Sequence, residues 1–258
     1  MAGIVDTHAH IFSIEDSNER KEQINKAINA GLEEIFMPNI DLNSIESMLD
    51  TEKEFPAVCK PMLGLHPSSV TSDYEIVLDQ MEQMLDQHKY YAIGETGIDL
   101  YWEQKHFNQQ VESLKRHAAW AIKSDLPIIL HTRNAFNETY EVMNDYNGTI
   151  KGIFHCFTGS TLEAEKVINL GFKLGIGGVL TFKNSGLDKT VADIPIENMV
   201  LETDTPYLAP VPYRGKPNQP AYIVEVAKKL AEIKKMSYEE VVSITTKTAK
   251  DLFYGQSR

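Results

Sequence analysis

A chain of 258 residues with 42% hydrophobic and 24% charged side chains has the composition of a folded globular protein. Its formal net charge of -12 argues against a protein that coats duplex DNA through its phosphates, because such surfaces are basic; acidic residues that hold metal ions count toward that charge, so a nuclease stays compatible. No stretch approaches the ~20 apolar residues of a membrane span, and Asp6 and His8 come too early for a signal peptide, so a cytoplasmic protein with no membrane partner is expected.

Short runs rich in Val, Ile and Phe occur around residues 4–5, 34–37, 58–65, 90–93, 127–130, 150–154, 172–176 and 199–201. Amphipathic stretches lie between and after them, at 18–30, 43–54, 74–88, 104–124, 136–146, 161–170, 219–233 and 237–253. The segment 181–197 is the weakest helix candidate. Strands of four to eight residues alternating with longer helical patterns predict βαβ units and a parallel sheet. Eight such units in about 250 residues match the count and size of a (β/α)8 TIM barrel. The predicted class is therefore α/β, one barrel domain over residues 1–258, with a doubly wound open sheet as the alternative. Cys59 and Cys156 lie far apart without C-x-x-C spacing and read as reduced core thiols.

The polar residues at the strand ends carry the chemistry. The first apolar run ends in His8 and His10, the third in His66, the fourth in Glu95, the fifth in His131, the sixth in His155 and the eighth in Asp204. In a barrel of this kind the C-terminal strand ends converge on one face, so these residues are expected in one pocket. His8 and His10 share a face at i and i+2, while Ala9 faces away. Asp6 has the same parity and reads as a partner that orients an imidazole. A lone histidine at a strand end is usually a packing residue. Five histidines and two carboxylates there, out of eight histidines in the chain, point to metal. Imidazole and carboxylate without thiolate suit divalent ions such as Mg, Mn or Zn and do not choose among them. His8, His10, Glu95, His131, His155 and Asp204 exceed the needs of one tetrahedral ion and suit two, with a bridging carboxylate. Glu95, between the two histidine pairs in strand order, is the natural bridge.

With these residues in view, the chain resembles the TatD family of metal-dependent deoxyribonucleases. The matching stretches are DTHAH, GLHP, AIGETGIDLYW, LPIILHTRNA, GIFHCFTGS, GFKLGIGGVLTFKN and LETDTPYLAPVPYRGKPNQPAYI, in family order over nearly the whole chain. The stretch 11–56 carries little of the likeness. The resemblance implies the same six metal ligands and phosphodiester hydrolysis of DNA. Single-stranded or frayed ends, trimmed from the 3′ side, are the expected substrate. Thr96 stands where the family usually has an aliphatic residue, Asn134 where an acidic one is common, and Ser68 and Ser69 where another histidine is frequent. None of these removes a ligand.

Asp204 reads as the general base, because it can touch both metal and water. His66 reads as a substrate-side group rather than a ligand, one that contacts phosphate or protonates the leaving oxygen. Arg133, Arg214 and Lys216 are candidate phosphate contacts, Arg214 and Lys216 on a proline-rich loop after the last strand. Tyr207 is a further candidate substrate contact, and Tyr101, Trp102 and Tyr207 are rings that can stack bases. The alternative is a small-molecule amidohydrolase, lactonase or phosphoesterase on the same barrel. Related barrels often bridge their metals with a carboxylated lysine, and here that strand offers Glu95. A non-catalytic barrel is disfavoured by the complete ligand set, and no obligate protein partner is evident.

Overall fold

In the computed structural model, residues 3–146 and 148–255 are described; the predicted bounds of 1–258 run past them. Eight parallel strands follow one another around a closed barrel: β1 (Ile4–Asp6), β2 (Leu32–Pro38), β3 (Cys59–Met62), β4 (Ile93–Asp99), β5 (Ile128–Arg133), β6 (Gly152–Phe154), β7 (Lys173–Ile176) and β8 (Met199–Leu201). The ladders β1–β3 and β4–β8 join at two seams. At the first, Leu63 bridges to Ile93, with Gly94 N–H donating to the Leu63 carbonyl at 2.8 Å. At the second, Ala9 bridges to Thr205, and Asp204 N–H donates to the His8 carbonyl at 2.8 Å. The second seam therefore runs through His8 and Asp204, two of the candidate ligands.

Helices α1 (Ser17–Asn29), α2 (Ser44–Glu54), α3 (Tyr74–Met84), α4 (Phe107–Ser124), α5 (Phe136–Asn144), α6 (Thr161–Asn169), α7 (Leu187–Asp193) and α8 (Ile223–Lys234) surround it. The helix α9 (Tyr238–Tyr254) follows them in the chain. Local chemistry explains where they start. Asp16 accepts from the N–H groups of Asn18 and Glu19 ahead of α1, and Ser160 with Glu163, and Ser237 with Glu240, form reciprocal capping pairs on α6 and α9. Helix α4 starts three residues later than the pattern predicts, because the Glu103 carboxylate accepts from Lys105 and His106 N–H and makes a separate turn there. In the weak segment 181–197 the α-helix is limited to the seven residues of α7, with short 3-10 turns at either end.

One boundary differs more. The fourth apolar run ends at residue 93 in the sequence, yet β4 begins at Ile93 and continues through Glu95 to Asp99. Gly97 is the reason. It sits at φ 141°, and a Cβ there would lie 2.0 Å from the His131 carbonyl oxygen. Glycine lets β4 press against β5, in a register that pairs Gly97 with His131 and Asp99 with Arg133. Glu95 thus stands within a strand, not at its end.

The barrel interior is filled by Val5, Phe36, Met62, Ala92, Ile129, Ile153 and Val200, closed from below by Ala249, Leu252 and Phe253 of α9. Phe253 stacks on Phe36 with ring centroids 3.6 Å apart. A larger apolar layer lies between strands and helices. The opposite end, where the strands finish, is left to polar groups.

Candidate active site

Four left-handed residues mark that end. Asn134, Cys156, Asp204 and Leu208 have φ between 47° and 57°, and they lie on the segments that follow β5, β6 and, for the last two, β8. Non-glycine residues persist there, at roughly 1–3 kcal/mol each, only where their surroundings over-determine them. The two other left-handed non-glycine residues, Asp125 and Lys235, simply terminate α4 and α8. Among the described residues, His10, His66, Glu95, His131, His155 and Asp204 line one cavity of about 490 Å³. His8 lies buried behind His10, its ring stacked 3.5 Å on His155.

Glu95 stands at the centre, 1% exposed, with its two oxygens facing different groups. Oε2 lies 3.1 Å from His8 Nε2 and 3.3 Å from His10 Nε2, and those two nitrogens are 3.1 Å apart. Asp204 Oδ1 completes this half, 3.8 Å from His8 Nε2 and 3.7 Å from His10 Nε2. Oε1 faces the other half: His131 Nδ1 at 2.8 Å, His66 Nε2 at 3.5 Å and His155 Nε2 at 3.6 Å.

These donors fit divalent metal. With metal–nitrogen bonds of about 2.0–2.1 Å, neighbouring ligands of a tetrahedral ion lie about 3.3–3.4 Å apart; the His8, His10 and Glu95 atoms, 3.1–3.3 Å from one another, come close to this, and Asp204 Oδ1 lies a little farther out, at 3.7–3.8 Å. Glu95 Oε2 is buried and, although the His8 and His10 nitrogens lie beside it, none is directed to hydrogen-bond it, a costly state for a carboxylate oxygen unless a cation meets it. His10 Nδ1 lies 3.0 Å from the Pro38 carbonyl, which can only accept, so the ring's proton is on Nδ1 and Nε2 offers a lone pair. Burial and the neighbouring His155 ring hold His8 well below the usual imidazole range.

The second half is held by two further carboxylates. His131 Nε2 lies 2.9 Å from Asp99 Oδ2, and His155 Nδ1 lies 3.1 Å from Glu202 Oε1. Burial disfavours both imidazoliums, but the facing carboxylates outweigh it. His131 is raised, through Asp99 and Glu95, and His155 is pushed up to about 10, through Glu202 and Glu95. Burial likewise works against ionised Glu95, and the His8, His66 and His155 rings together still hold it well below the carboxylate range. Asp204 goes the other way: burial pushes it up to about 6 against the pull of His155 and His10.

His66 differs from the other imidazoles. Its Nδ1 accepts the backbone N–H of Ser68 at 3.1 Å and lies 2.7 Å from the Ser68 hydroxyl. A backbone N–H only donates, so the neutral His66 ring carries its proton on Nε2. It presents a donor to the cavity where His10 presents a lone pair.

The other expected contacts divide. Arg133 and Tyr207 line the cavity, as does Trp102. Arg214 and Lys216 are exposed and do not line it; the Arg214 guanidinium stacks 3.8 Å over the Phe182 ring. Asp6 does not orient an imidazole. The strand ends at Asp6 and the chain bends at Thr7, so period-two parity does not carry back from His8. Its carboxylate instead accepts from Thr203 Oγ1 at 2.6 Å, Thr203 N–H at 3.0 Å and His8 N–H at 3.2 Å, tying the first strand to the last. The groups that face the candidate ligand rings, Asp99, Glu202 and the Pro38 carbonyl, do not stand out in the sequence. The available signal was even spacing on a ligand's own segment: Asp99 is four residues past Glu95, and Glu202 two before Asp204.

Comparison with known proteins matches residues 5–254 to the family described as TatD related DNase. A metal-dependent hydrolase of Bacillus subtilis, YabD, is 34% identical over 252 residues, covering 97% of this chain and 98% of the relative. A metal-dependent hydrolase of Escherichia coli K12, YcfH, is 34% identical over 193 residues, covering 74% of this chain and 72% of the relative. The crystal structure of YjjV, a TatD homologue from E. coli K12, superposes with a TM-score of 0.91 at 27% identity, covering 97% of this chain and 98% of that one.

Proposed function

The chain belongs to the TatD-related DNase family of metal-dependent hydrolases, and from that premise we propose that it hydrolyses phosphodiester bonds of DNA at a centre of two divalent ions, Mg, Mn or Zn. The observation that carries this reading is the division of Glu95: Oε2 lies against His8 and His10, with Asp204 beside those two rings, and Oε1 lies against His131, His66 and His155. When bound, two such ions lower the pKa of a water and clamp phosphate oxygens.

The side chains supply the rest. Asp204, with 13% of its side chain exposed, reaches the cavity and takes the proton of the attacking water. His66, fixed as the Nε2–H form by Ser68, donates to a phosphate oxygen and hands its proton to the leaving oxygen. Arg133 grips the phosphate from the rim, with Tyr207 beside it. Arg214 and Lys216 meet a longer strand outside the cavity. A recessed site on a protein of net charge -12 suits a single strand or a frayed end rather than a long duplex, and we propose stepwise removal from the 3′ end. The chain has no helix long and apolar enough to cross a membrane among the described residues, and we propose action in the cytoplasm without an obligate protein partner.

The test is product mapping on 3′- and 5′-labelled single and double strands with Mg, Mn or Zn. A ladder shrinking from the 3′ end is expected. Random internal cuts would remove the exonuclease part and leave the hydrolase. No cleavage with any metal, beside turnover of lactones or amides, would replace DNA with a small-molecule substrate.

A further inference from the structure

Two large rings stand in solvent at the rim. Tyr101 is 52% exposed and Trp102 67%, and Trp102 lines the cavity together with Arg133. The Arg133 guanidinium lies 4.1 Å from the Tyr101 ring centre and 5.3 Å from that of Trp102, and the two rings meet edge to face at 4.7 Å. Their turn is anchored. Asp99 Oδ1 accepts from the N–H groups of Tyr101, at 2.9 Å, and Trp102, at 2.8 Å, while Oδ2 of the same carboxylate holds His131 Nε2 at 2.9 Å. One side chain therefore sets both a ligand imidazole and the backbone that carries the rings. Their separation from the reacting phosphate is built in rather than left to a free loop.

We propose that Trp102, backed by Tyr101 and Arg133, is a stacking platform for one unpaired nucleobase of the strand being cut; the proposal rests on the phosphodiester reading above. The chemistry of the patch names this occupant. An open aromatic face beside a guanidinium, next to a phosphate-cleaving centre, is complementary to a planar base joined to a phosphate. Bases inside a duplex have both faces covered, so the platform accepts only unstacked ones, which gives single strands and frayed ends their advantage. Every base has such a face, so little sequence preference is expected.

The chain reports on itself. Of its two tryptophans, Trp120 is 2% exposed, so quenching of intrinsic fluorescence by a ligand reads Trp102. The metal-loaded enzyme is titrated with slowly cleaved phosphorothioate tetrathymidylate, and with the same backbone carrying abasic residues. Saturable quenching by the first, little by the second, and none in Trp102→Leu is expected. With cleavable strands, the KM advantage of base-bearing over abasic substrate should fall about tenfold in Trp102→Leu, and Trp102→Phe should keep most of it. Equal quenching by both strands, or an unchanged KM ratio in Trp102→Leu, overturns the platform while leaving the hydrolase intact. Base-dependent quenching with no cleavage of either strand keeps the platform and overturns the phosphodiester reading instead.

Discussion

The two ends of the barrel obey different rules. At the lower end Phe36, Phe253 and Leu252 pack ring on ring and aliphatic on aromatic, without a charge among them. At the upper end buried imidazoles and carboxylates crowd together, no hydrogen bond is directed at Glu95 Oε2, and left-handed residues gather. A protein keeps such an unsettled cluster only if the remainder of the fold over-determines it. Apolar burial below, together with the seam hydrogen bonds of Asp6, Thr203, His8 and Asp204, supplies that determination. Stability is concentrated at one end and reactivity at the other, so mutations at the two ends should separate in what they damage.

The sharpest contrast comes from Glu95→Gln. Removing one preorganised electrostatic group costs an enzyme ~10²–10³ in kcat, and Glu95 serves both halves of its site. A loss of at least ~10³-fold in kcat is expected, about 4 kcal/mol, with the unfolding midpoint in urea held or raised. A midpoint that collapses would mean Glu95 is a structural residue. At the other end, Phe253→Ala should remove about 3 kcal/mol of stability by opening a cavity against Phe36, while the kcat of the folded fraction stays within about twofold. Urea titration and initial rates on one preparation decide this, and a proportionate fall in kcat would merge the two ends.

A pH experiment compares a satisfied imidazole with the unsettled ones. His117, fully buried, accepts Leu65 N–H at 2.9 Å on Nε2 and lies 2.7 Å from the Ser113 carbonyl through Nδ1. Burial pushes its pKa down from 6.5 to about 4. The unfolded chain therefore takes up this proton first as pH falls. The stability that neutral His117 contributes is complete above about pH 6.5 and lost progressively toward about pH 4, at most about 3 kcal/mol. Urea unfolding of wild type and His117→Gln should show a shallower pH dependence for the variant across that window; identical slopes would contradict the assignment. The smallest effect is expected from Asp99→Asn, whose carboxylate steadies His131. Partners of metal-holding histidines are worth ~10–100-fold in metal affinity, so binding measured by competition with a chelating dye should weaken by that factor.

The same contrast explains what was legible in the sequence. Residue types report what they can ligate, so His8, His10, Glu95, His131, His155 and Asp204 stood out on their own, and strand–helix alternation implied the barrel that gathers them. Register across strands is not written in any single segment. That Asp99 reaches His131, or that Glu202 reaches His155, depends on how β4 lies against β5 and how β7, between β6 and β8, sets the register of the two. The overextended β4 shows the same limit, since Gly97 signals a break until the His131 carbonyl is seen pressed against it. Asp6 failed because one bend at Thr7 cancels parity.

In the proposed function the two oxygens of Glu95 serve two different ions. Anomalous diffraction from crystals loaded with Mn tests it most directly. Two peaks per chain are expected, one contacted by His8, His10 and Asp204, the other by His131 and His155, with Glu95 between them and His66 coordinated to neither. A single peak holding both Glu95 oxygens, or a peak ligated by His66 Nε2, would contradict it.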